Sequence, residues 1–436
     1  MSDHVEIKPI PTLCETSKLK SWVVVLSASF FFFYEFVQMN MFNAISSELM
    51  HAFNVNAESL GFMSSFYFLA NVIFLFPAGM LLDRCATKKV ILVSMSVCVL
   101  GTALLGATSS FYTAVLCRFL TGIGSAFCFL SVIRLASRWF ANSSMAFVIG
   151  VVVTIAMLGG MVAQTPMTLL VDKFGWREAL FVDAIFGLII ILVILVLVKD
   201  YPANHHQKHI QDKEAVANIG YFKSMRMAYC RLHNWLGGIY TCMMNLPVGL
   251  LGGLWGAIYL TSADKLTKIQ ATQASSMLFL GTIIGAPLVG MLSDKIKKRR
   301  PPMIAGALLS LILVIVTLEL HGLGYYQILF LFLLLGITTS TQIIGYPLVA
   351  ENSPRIITAM SVSVVNISIE GGSGILQPFF GYLMDETQLH RLHHISTHFA
   401  AQDFKYAMWI FPVGFLIAVF CMKFIPETNC NQYSES

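Results

Sequence analysis

Charge is the scarcest property of this 436-residue chain. Aspartate, glutamate, lysine and arginine together make up only 12% of it, about half of what a soluble protein carries. Hydrophobic residues make up 56%, and the mean hydropathy is +0.73. This composition excludes an ordinary water-soluble globular protein, because the chain has too few polar side chains for a surface that faces water.

Paired cysteines are also missing. The nine cysteines are scattered along the chain without a CxxC pair, and we expect no disulfides. The first 21 residues are polar and contain Pro9 and Pro11, unlike a secretory leader. The first apolar run is therefore expected to remain as a transmembrane helix.

Long apolar runs are what the chain has instead. A helix needs about 20 apolar residues to cross a bilayer, and backbone groups in hydrocarbon must be hydrogen-bonded internally. The sequence therefore predicts an all-α membrane protein with twelve spans. The predicted spans are 22–43, 58–82, 90–107, 111–133, 145–171, 179–198, 235–259, 272–293, 303–320, 326–348, 359–384 and 406–424.

The distribution of basic residues predicts the orientation. With the N terminus inside, 21 lysines and arginines fall in inside segments and six in outside segments. Cytoplasmic loops carry such an excess, so we expect both termini in the cytoplasm, in a bacterial inner membrane. The net charge of +5 then reflects topology, and no nucleic-acid partner is expected.

The chain contains an internal repeat. The stretch from Gly79 to Lys89 places a glycine, an acid and a run of bases between two apolar spans, and it returns from Gly290 to Arg300. Further pairs follow at an offset of 212, namely Gly124 with Gly336, Gly159-Gly160 with Gly371-Gly372, and Pro166 with Pro378. A constant offset of this kind indicates a duplicated unit.

Six spans in each copy predict two pseudo-symmetric six-helix bundles with the transport pathway between them. The expected organisation is a cytoplasmic N-terminal tail (1–21), a first bundle (22–198), a cytoplasmic linker (199–234), a second bundle (235–424) and a cytoplasmic C-terminal tail (425–436).

Three motifs resemble those of the major facilitator superfamily. The loop after span 2 is similar to the signature G-x-L-x-D-R-x-G-R/K-R/K, with Ala86 at the second glycine; the matching residues are Gly79, Leu81, Asp83, Arg84, Lys88 and, more loosely, Lys89. Span 4 carries Arg118-x-x-x-Gly122-x-Gly124, and Gly175-Trp176-Arg177 precedes span 6. The resemblance covers nearly the whole chain and implies a 12-helix secondary transporter that works by alternating access.

The resemblance also implies a role for the repeated loop, which would latch the two halves on the cytoplasmic side while the protein is open outward. The residues expected in this gating motif are Gly79, Asp83, Arg84, Lys88, Arg134, Arg138, Gly290 and Asp294. The two glycines would allow helices to pack closely. The alternative is a solvated loop that only sets topology, and it weighs more for Asp294, because Lys297 replaces the signature glycine there.

Three ionisable residues, Glu35, Arg118 and Glu370, lie clearly within the predicted spans, where charges are costly and usually functional. Arg118 could bind a carboxylate of the substrate, or it could form a structural ion pair with Glu35. If the pair forms, Glu370 is the better proton-coupling site. The alternative for Glu370 is a hydrogen bond to a neighbouring helix.

Other polar or aromatic side chains within the spans are candidates to line a substrate cavity. These residues are Gln38, Asn40, Tyr67, Asn71, Gln164, Asn245, Trp255, Tyr259, Gln342, Tyr346, Asn366 and Gln377. Each could instead hold helices together. Span 7 contains Asn245-Leu246-Pro247 and four glycines in 249–256. It is predicted to be broken or bent, as in the gating or binding regions of transporters.

The predicted function is proton-coupled or facilitated uptake of a small anionic or zwitterionic solute, such as an organic acid, an amino acid or a short peptide. The expected partners are this solute, protons and the lipid bilayer, with the protein acting as a monomer without cofactor or metal. An efflux antiporter for drugs or siderophores is the alternative. It is disfavoured because Ala163-Gln164 replace the Gly-Pro of the family's antiporter motif.

The rivals from other classes are a non-transporting membrane receptor, which would be expected to carry a signalling domain, and a membrane di-iron oxidase. The oxidase is considered because two histidine clusters resemble its ligand boxes. The clusters are His205-His206-x-x-His209 and His390-x-x-His393-His394. The distribution of bases places the first inside and the second outside. They therefore cannot share a metal, and we interpret them as solvated loop histidines.

Overall fold

The computed structural model describes residues 18–140, 144–201, 221–320, 323–354, 357–394, 396 and 398–431, and within these ranges it contains helices and no strand. Eleven helical stretches are long and apolar enough to cross a membrane. The twelfth, Thr358–Leu392, is the longest helix and carries more polar residues. The twelve form two bundles of six, as predicted.

The first half contains nine helices within the described ranges. They are α1 (Lys18–Asn40) and α2 (Phe42–Phe53) in span 1, α3 (Ala57–Arg84) in span 2, α4 (Thr87–Ala107) in span 3, α5 (Phe111–Ser125) and α6 (Cys128–Trp139) in span 4, α7 (Met145–Val162) and α8 (Thr165–Phe174) in span 5, and α9 (Trp176–Leu197) in span 6.

The second half begins with a short helix, α10 (Tyr221–Tyr229), that precedes span 7. The spans contain α11 (Leu232–Leu246), a π-helix (Pro247–Trp255) and α12 (Gly256–Ala263) in span 7, α13 (Lys268–Ile296) in span 8, α14 (Arg300–Glu319) in span 9, α15 (Tyr325–Thr339), a 3₁₀ turn (Ser340–Ile344) and α16 (Gly345–Glu351) in span 10, α17 (Thr358–Leu392) in span 11, and two 3₁₀ turns (Ala401–Phe404, Ala407–Trp409) and α18 (Ile410–Phe424) in span 12.

Several spans are interrupted. The predicted break in span 7 is confirmed by the π-helix that starts at Pro247, whose ring nitrogen has no hydrogen to donate. The sequence analysis does not predict the breaks in spans 1, 4, 5 and 10, which fall at Met41, at 126–127, at 163–164 and at Ser340–Ile344. Spans 1 and 7 hold equivalent positions in the repeat, as do spans 4 and 10, so the two halves are interrupted in corresponding spans.

We call the end of the molecule where α4 and α14 begin the basic end, and the end where α3 and α13 begin the far end. At the basic end of the first half, Oδ1 of Asp200 accepts a hydrogen bond from the backbone N–H of Lys88 (2.9 Å), at the start of α4. The same oxygen lies 3.5 Å from Nη1 of Arg138. A carboxylate is favoured at a helix N terminus, because the free N–H groups and the helix dipole both attract it.

The second half repeats this arrangement with a glutamate. Glu427 accepts hydrogen bonds from the backbone N–H groups of Arg299 (2.7 Å) and Arg300 (2.9 Å), at the start of α14. Burial alone would raise the pKa of Glu427, but hydrogen bonds from four backbone N–H groups outweigh it and lower the pKa. Asp200 and Glu427 each lie three residues beyond the last helix of their half, so each half is closed on itself at the basic end.

Candidate functional site

Arg118 is fully buried at the break in span 1, seven residues after the start of α5. Its Nη1 donates a hydrogen bond to the backbone carbonyl of Gln38 (3.0 Å). Because α1 ends at Asn40, this carbonyl belongs to the last turn of α1, whose carbonyls lack partners within the helix. The guanidinium also lies over the rings of Phe42 (4.2 Å) and Tyr67 (4.6 Å), both cation–π contacts.

No carboxylate is paired with Arg118 among the described residues. Its Nε and Nη2 make no hydrogen bond within the part of the chain that the structure describes. The alternative ion pair with Glu35 is not formed: Oε1 of Glu35 accepts a hydrogen bond from the hydroxyl of Tyr67, and Oε2 has no protein partner. An unpaired buried charge costs several kcal/mol, so this arrangement favours an anion at Nε and Nη2.

Glu370 is half-buried in α17, and its Oε2 also has no hydrogen-bond partner in the described structure. Its charge is near enough to interact with that of Glu35 across the two halves. A Cβ atom at the next residue, Gly371, would meet no atom within 4 Å, so this part of α17 borders open space. Glu35 is thus near enough to interact both with Arg118 in its own half and with Glu370 in the other half.

Some predicted cavity residues hold helices together instead. Trp255 is fully buried, donates to the carbonyl of Gln377 (3.1 Å) and stacks on Phe380 at 5.9 Å between ring centroids. Gln38 is fully buried between α1, α4 and α9.

Others lie closer to the open space. Asn245 and Asn366 are half-buried, and Oδ1 of Asn366 accepts a hydrogen bond from the hydroxyl of Tyr346 (2.8 Å). Tyr346 lies close enough to Glu370 to interact with its charge. Gln342 is buried in the 3₁₀ turn of span 10. The structure thus brings Asn366 and Tyr346 to Glu370.

The sequence analysis counts three ionisable residues clearly within the spans, and this count is incomplete. Asp183 in α9 is only 6% exposed, and Asp385 near the end of α17 is also buried. Asp183 lies seven residues from the start of α9. That places it about 10 Å from the helix start, too deep for a boundary acid.

The far end is closed by hydrogen bonds between the halves. Oδ1 of Asn43 accepts from the backbone N–H of Ala257 (2.8 Å), and its Nδ2 donates to Oε1 of Gln164 (2.6 Å). Nε2 of Gln164 donates in turn to the carbonyl of Gly252 (2.8 Å). Gln164, predicted to line a cavity, therefore belongs to this closure, together with Asn43, which the sequence analysis missed.

A second inter-half contact at the far end joins α17 to α3. The carboxylate of Asp385 accepts hydrogen bonds from the backbone N–H groups of Ala57 (3.2 Å) and Glu58 (2.8 Å), at the N terminus of α3. One turn further along α3, a Cβ atom at Gly61 would lie 2.5 Å from Cα of Pro378. The glycine is what lets the two helices pack this closely.

The basic end lacks such a closure among the described side chains, since the inter-half hydrogen bonds and ion pairs between described residues lie at the far end. A Cβ atom at Gly290 would meet no atom within 4 Å, so the close packing expected at this glycine is absent in this conformation. The molecule is thus closed at the far end and open at the basic end.

The gating motif is described in part. The side chains of Asp83 and Arg84 lie outside the described structure, so the latch stays a prediction. Nζ of Lys88 donates to the carbonyl of Leu195 (2.7 Å), within the first half. Arg134 lies in α6, one turn before Arg138, which pairs with Asp200 as described above.

The second copy of the motif forms an ion-pair network within its own half. Arg299 lies 2.6 Å from Asp294 and 2.6 Å from Glu351, and the hydroxyl of Thr428 donates to the same glutamate (2.5 Å). Opposing charges nearby raise the pKa of Arg299 despite its burial. Asp294 therefore stabilises the basic end of the second half in this conformation.

Replacing Asp385 with asparagine is expected to shift the protein toward a state open at the far end. The substitution removes a negative charge from a helix N terminus, a contact worth up to about 2 kcal/mol when partly buried. Spin labels at the exposed residues Tyr112 and Tyr326, in a cysteine-free background, would report the distance between the halves at that end.

Glu386→Gln is the matched control, because this neighbouring acid contacts only His390 of its own helix among the described ion pairs. Its distance distribution should match that of the parent protein. Equal distributions for Asp385→Asn and the parent would show that the cap does not stabilise the closed far end.

The comparisons with known proteins agree with this architecture. The profile of the Major Facilitator Superfamily matches residues 27–254 and 237–430. The probable galactarate/D-glucarate transporter GudP of Escherichia coli K12 is 23% identical over 378 residues, covering 78% of this chain and 82% of its own. A probable hexose phosphate transport protein of Chlamydia muridarum is 22% identical, covering 69% of this chain and 70% of its own.

A solved structure shares the fold. The crystal structure of a bacterial homolog of the human lysosomal transporter Spinster, in an inward-facing and unoccupied conformation, superposes with a TM-score of 0.77 at 16% identity. The match covers 94% of this chain and 98% of that one. This chain therefore belongs to the Major Facilitator Superfamily and is a multi-pass membrane transporter of small molecules.

Proposed function

We propose that this transporter imports a small organic anion together with protons across a bacterial inner membrane, with both termini in the cytoplasm. The observation that carries the proposal is the buried guanidinium of Arg118, which has no carboxylate partner and two unbonded nitrogens among the described atoms. In this orientation the basic end faces the cytoplasm, residues 199–234 form a cytoplasmic linker, and the structure is open inward.

The relatives support an anion over an amino acid or a peptide. GudP is named for two sugar diacids, and the chlamydial relative for hexose phosphates. Carboxylates and phosphates each present a pair of oxygens that a guanidinium binds through two parallel hydrogen bonds. The substrate class that we propose is therefore a sugar acid or sugar phosphate.

The contacts of Tyr67 provide a route for coupling. Its ring covers one side of the Arg118 guanidinium, and its hydroxyl donates to Glu35. A hydrogen bond to a charged carboxylate is about twice as strong as a neutral one. A proton that binds Glu35 weakens this bond and frees Tyr67 to move off Arg118. Proton binding and anion binding then favour the same state, as symport requires.

A panel of labelled solutes tests the function. Purified protein in liposomes, with the lumen alkaline, is expected to accumulate D-glucarate or glucose 6-phosphate and to leave glucose outside. Accumulation should disappear when a protonophore collapses the gradient. Uptake of glucose without uptake of either anion would refute the proposal. Gradient-driven export of a cationic drug would instead support the efflux antiporter.

Removing the Tyr67 hydroxyl is expected to loosen the coupling. Tyr67→Phe keeps the ring over Arg118 but loses the bond to Glu35, so the anion should enter at equal external and internal pH at a rate about threefold above that of the parent. The accumulation that a pH gradient drives should fall. Initial rates and steady-state levels in liposomes measure both quantities.

Tyr240→Phe is the matched control, because its buried hydroxyl also donates, to the carbonyl of Met303 (2.9 Å), but in the second half and away from Arg118. Its ratio of accumulation to gradient-free uptake should stay at the parent value. An unchanged ratio for Tyr67→Phe would contradict a coupling role for this hydroxyl.

A further inference from the structure

Among the described residues, the one hydrogen bond of the Arg118 guanidinium goes to a backbone carbonyl, that of Gln38. Gln38 is three residues before Met41, where span 1 breaks. A carbonyl in the last turn of a helix is not fixed by a helical hydrogen bond. The direction in which Arg118 presents Nε and Nη2 therefore depends on what fixes Gln38.

The side-chain amide of Gln38 is bonded to two neighbouring helices. Its Nε2 donates to Oδ2 of Asp183 in α9, and its Oε1 accepts from the hydroxyl of Thr102 in α4 (2.7 Å). The same hydroxyl oxygen also lies 3.0 Å from the carbonyl oxygen of Cys98, one turn earlier in its own helix. The side chains of Gln38, Asp183 and Thr102 are all buried. The amide nitrogen of Gln38 is thus bonded to α9 and its amide oxygen to α4.

Asp183 is the acid of this network and has no basic partner among the described ion pairs. Oδ2 of Asp183 accepts from Nε2 of Gln38, and a carboxyl oxygen that carries no proton only accepts hydrogen bonds. It therefore permits a single orientation of the Gln38 amide, with the NH₂ group toward α9 and the oxygen toward Thr102.

We infer that Asp183 is a positioning residue for the anion site: through Gln38 it fixes the carbonyl that orients the guanidinium of Arg118. The chain of contacts runs from α9 through α1 to α5, and each step is a hydrogen bond between buried groups. Asp183 touches neither the guanidinium nor the anion. The inference rests on the proposed function, in which Arg118 binds the substrate anion.

The substitution Asp183→Leu tests this inference, since it keeps the size of the side chain and removes the acceptor. The KM for D-glucarate, measured in liposomes, should rise at least tenfold, with a maximal rate per transporter within twofold of the parent. Asp183→Asn keeps an acceptor oxygen for Gln38 and should restore a KM within threefold of the parent. If the leucine variant does not fold, Thr102→Val carries the test, with an expected threefold rise in KM.

Asn234→Leu is the control for a merely structural effect. Asn234 is a buried amide in the second half that donates to the carbonyl of Ala228 (2.8 Å) and accepts from Ser353 (3.1 Å). Its replacement should lower the melting temperature without a change in KM. A KM at the parent value in both Asp183→Leu and Thr102→Val, or a fall in maximal rate alone, would overturn the inference.

The anion site at Arg118 and the positioning role of Asp183 can be refuted separately. If Arg118→Ala transports normally, the proposed anion site itself is wrong. If Arg118→Ala abolishes uptake while Asp183→Leu keeps the parent KM, the anion site stands and only the positioning role of Asp183 is refuted.

Discussion

Arg118→Ala is expected to reduce uptake of D-glucarate or glucose 6-phosphate at least 100-fold in kcat/KM. Truncating one partner of a buried, hydrogen-bonded charge pair costs about 2–5 kcal/mol, and each 1.4 kcal/mol is a factor of ten. In the proposed function, the anion forms the close ion pair that no described carboxylate forms with Arg118. Initial uptake rates, normalised to the amount of folded protein, measure the loss.

Arg177→Ala is a closely matched control. Like Arg118, Arg177 lies over an aromatic ring (Trp176, 4.1 Å) and donates to a backbone carbonyl (Thr108, 3.1 Å), but it does so at the far end and is only half-buried. Its replacement should leave kcat/KM within a few fold of the parent. Normal uptake by Arg118→Ala would mean that the arginine merely bonds the free carbonyl of the broken span 1.

Glu370→Gln is expected to separate exchange from accumulation. The glutamine keeps the size and polarity of the side chain but cannot carry a proton between the two faces of the membrane. A one-unit pH gradient stores 1.4 kcal/mol per proton, enough for roughly tenfold accumulation. The accumulation ratio should fall close to 1, while exchange of labelled for unlabelled anion continues at the parent rate.

The half-buried position of Glu370 beside open space, and its proximity to Glu35, are the reasons for this expectation. Glu178→Gln provides the control, because Glu178 is exposed in the first turn of α9. Gradient-driven accumulation by Glu370→Gln equal to that of the parent would exclude Glu370 as an obligatory proton carrier.

The family and the number of spans follow from the sequence because they depend on local properties. Hydropathy, the order of motifs and the repeat offset can be read without knowing how any helix is rotated. The same holds for the break in span 7, where Pro247 gives a local cause.

The direction of a side chain is a different matter, since it depends on helix rotation and on where a helix breaks. Gln38, Gln164 and Trp255 were all candidates to line a cavity, yet their contacts place them within a bundle or in the far-end closure. No proline or glycine at Met41 predicts the break in span 1. This break brings the carbonyl of Gln38 to Arg118.

The polar groups that pair across the two halves could not be predicted from the sequence either. Asn43 and Asp385 bond to backbone N–H groups of the other half. Because every residue except proline has such a group, the sequence does not identify the residue that provides it. A polar residue in a span therefore indicates that a partner exists, but only the fold identifies that partner.

The acids Asp200 and Glu427 have a consequence for how the molecule can move. Each returns from the last helix of its half to the start of that half's third membrane span, so these bonds hold each half together from within at the basic end. Two such self-contained units can rock against each other as rigid bodies. Opening the far end would break contacts between the halves, such as those of Asn43 and Asp385, whereas the bonds of Asp200 and Glu427 lie within one half and can stay intact.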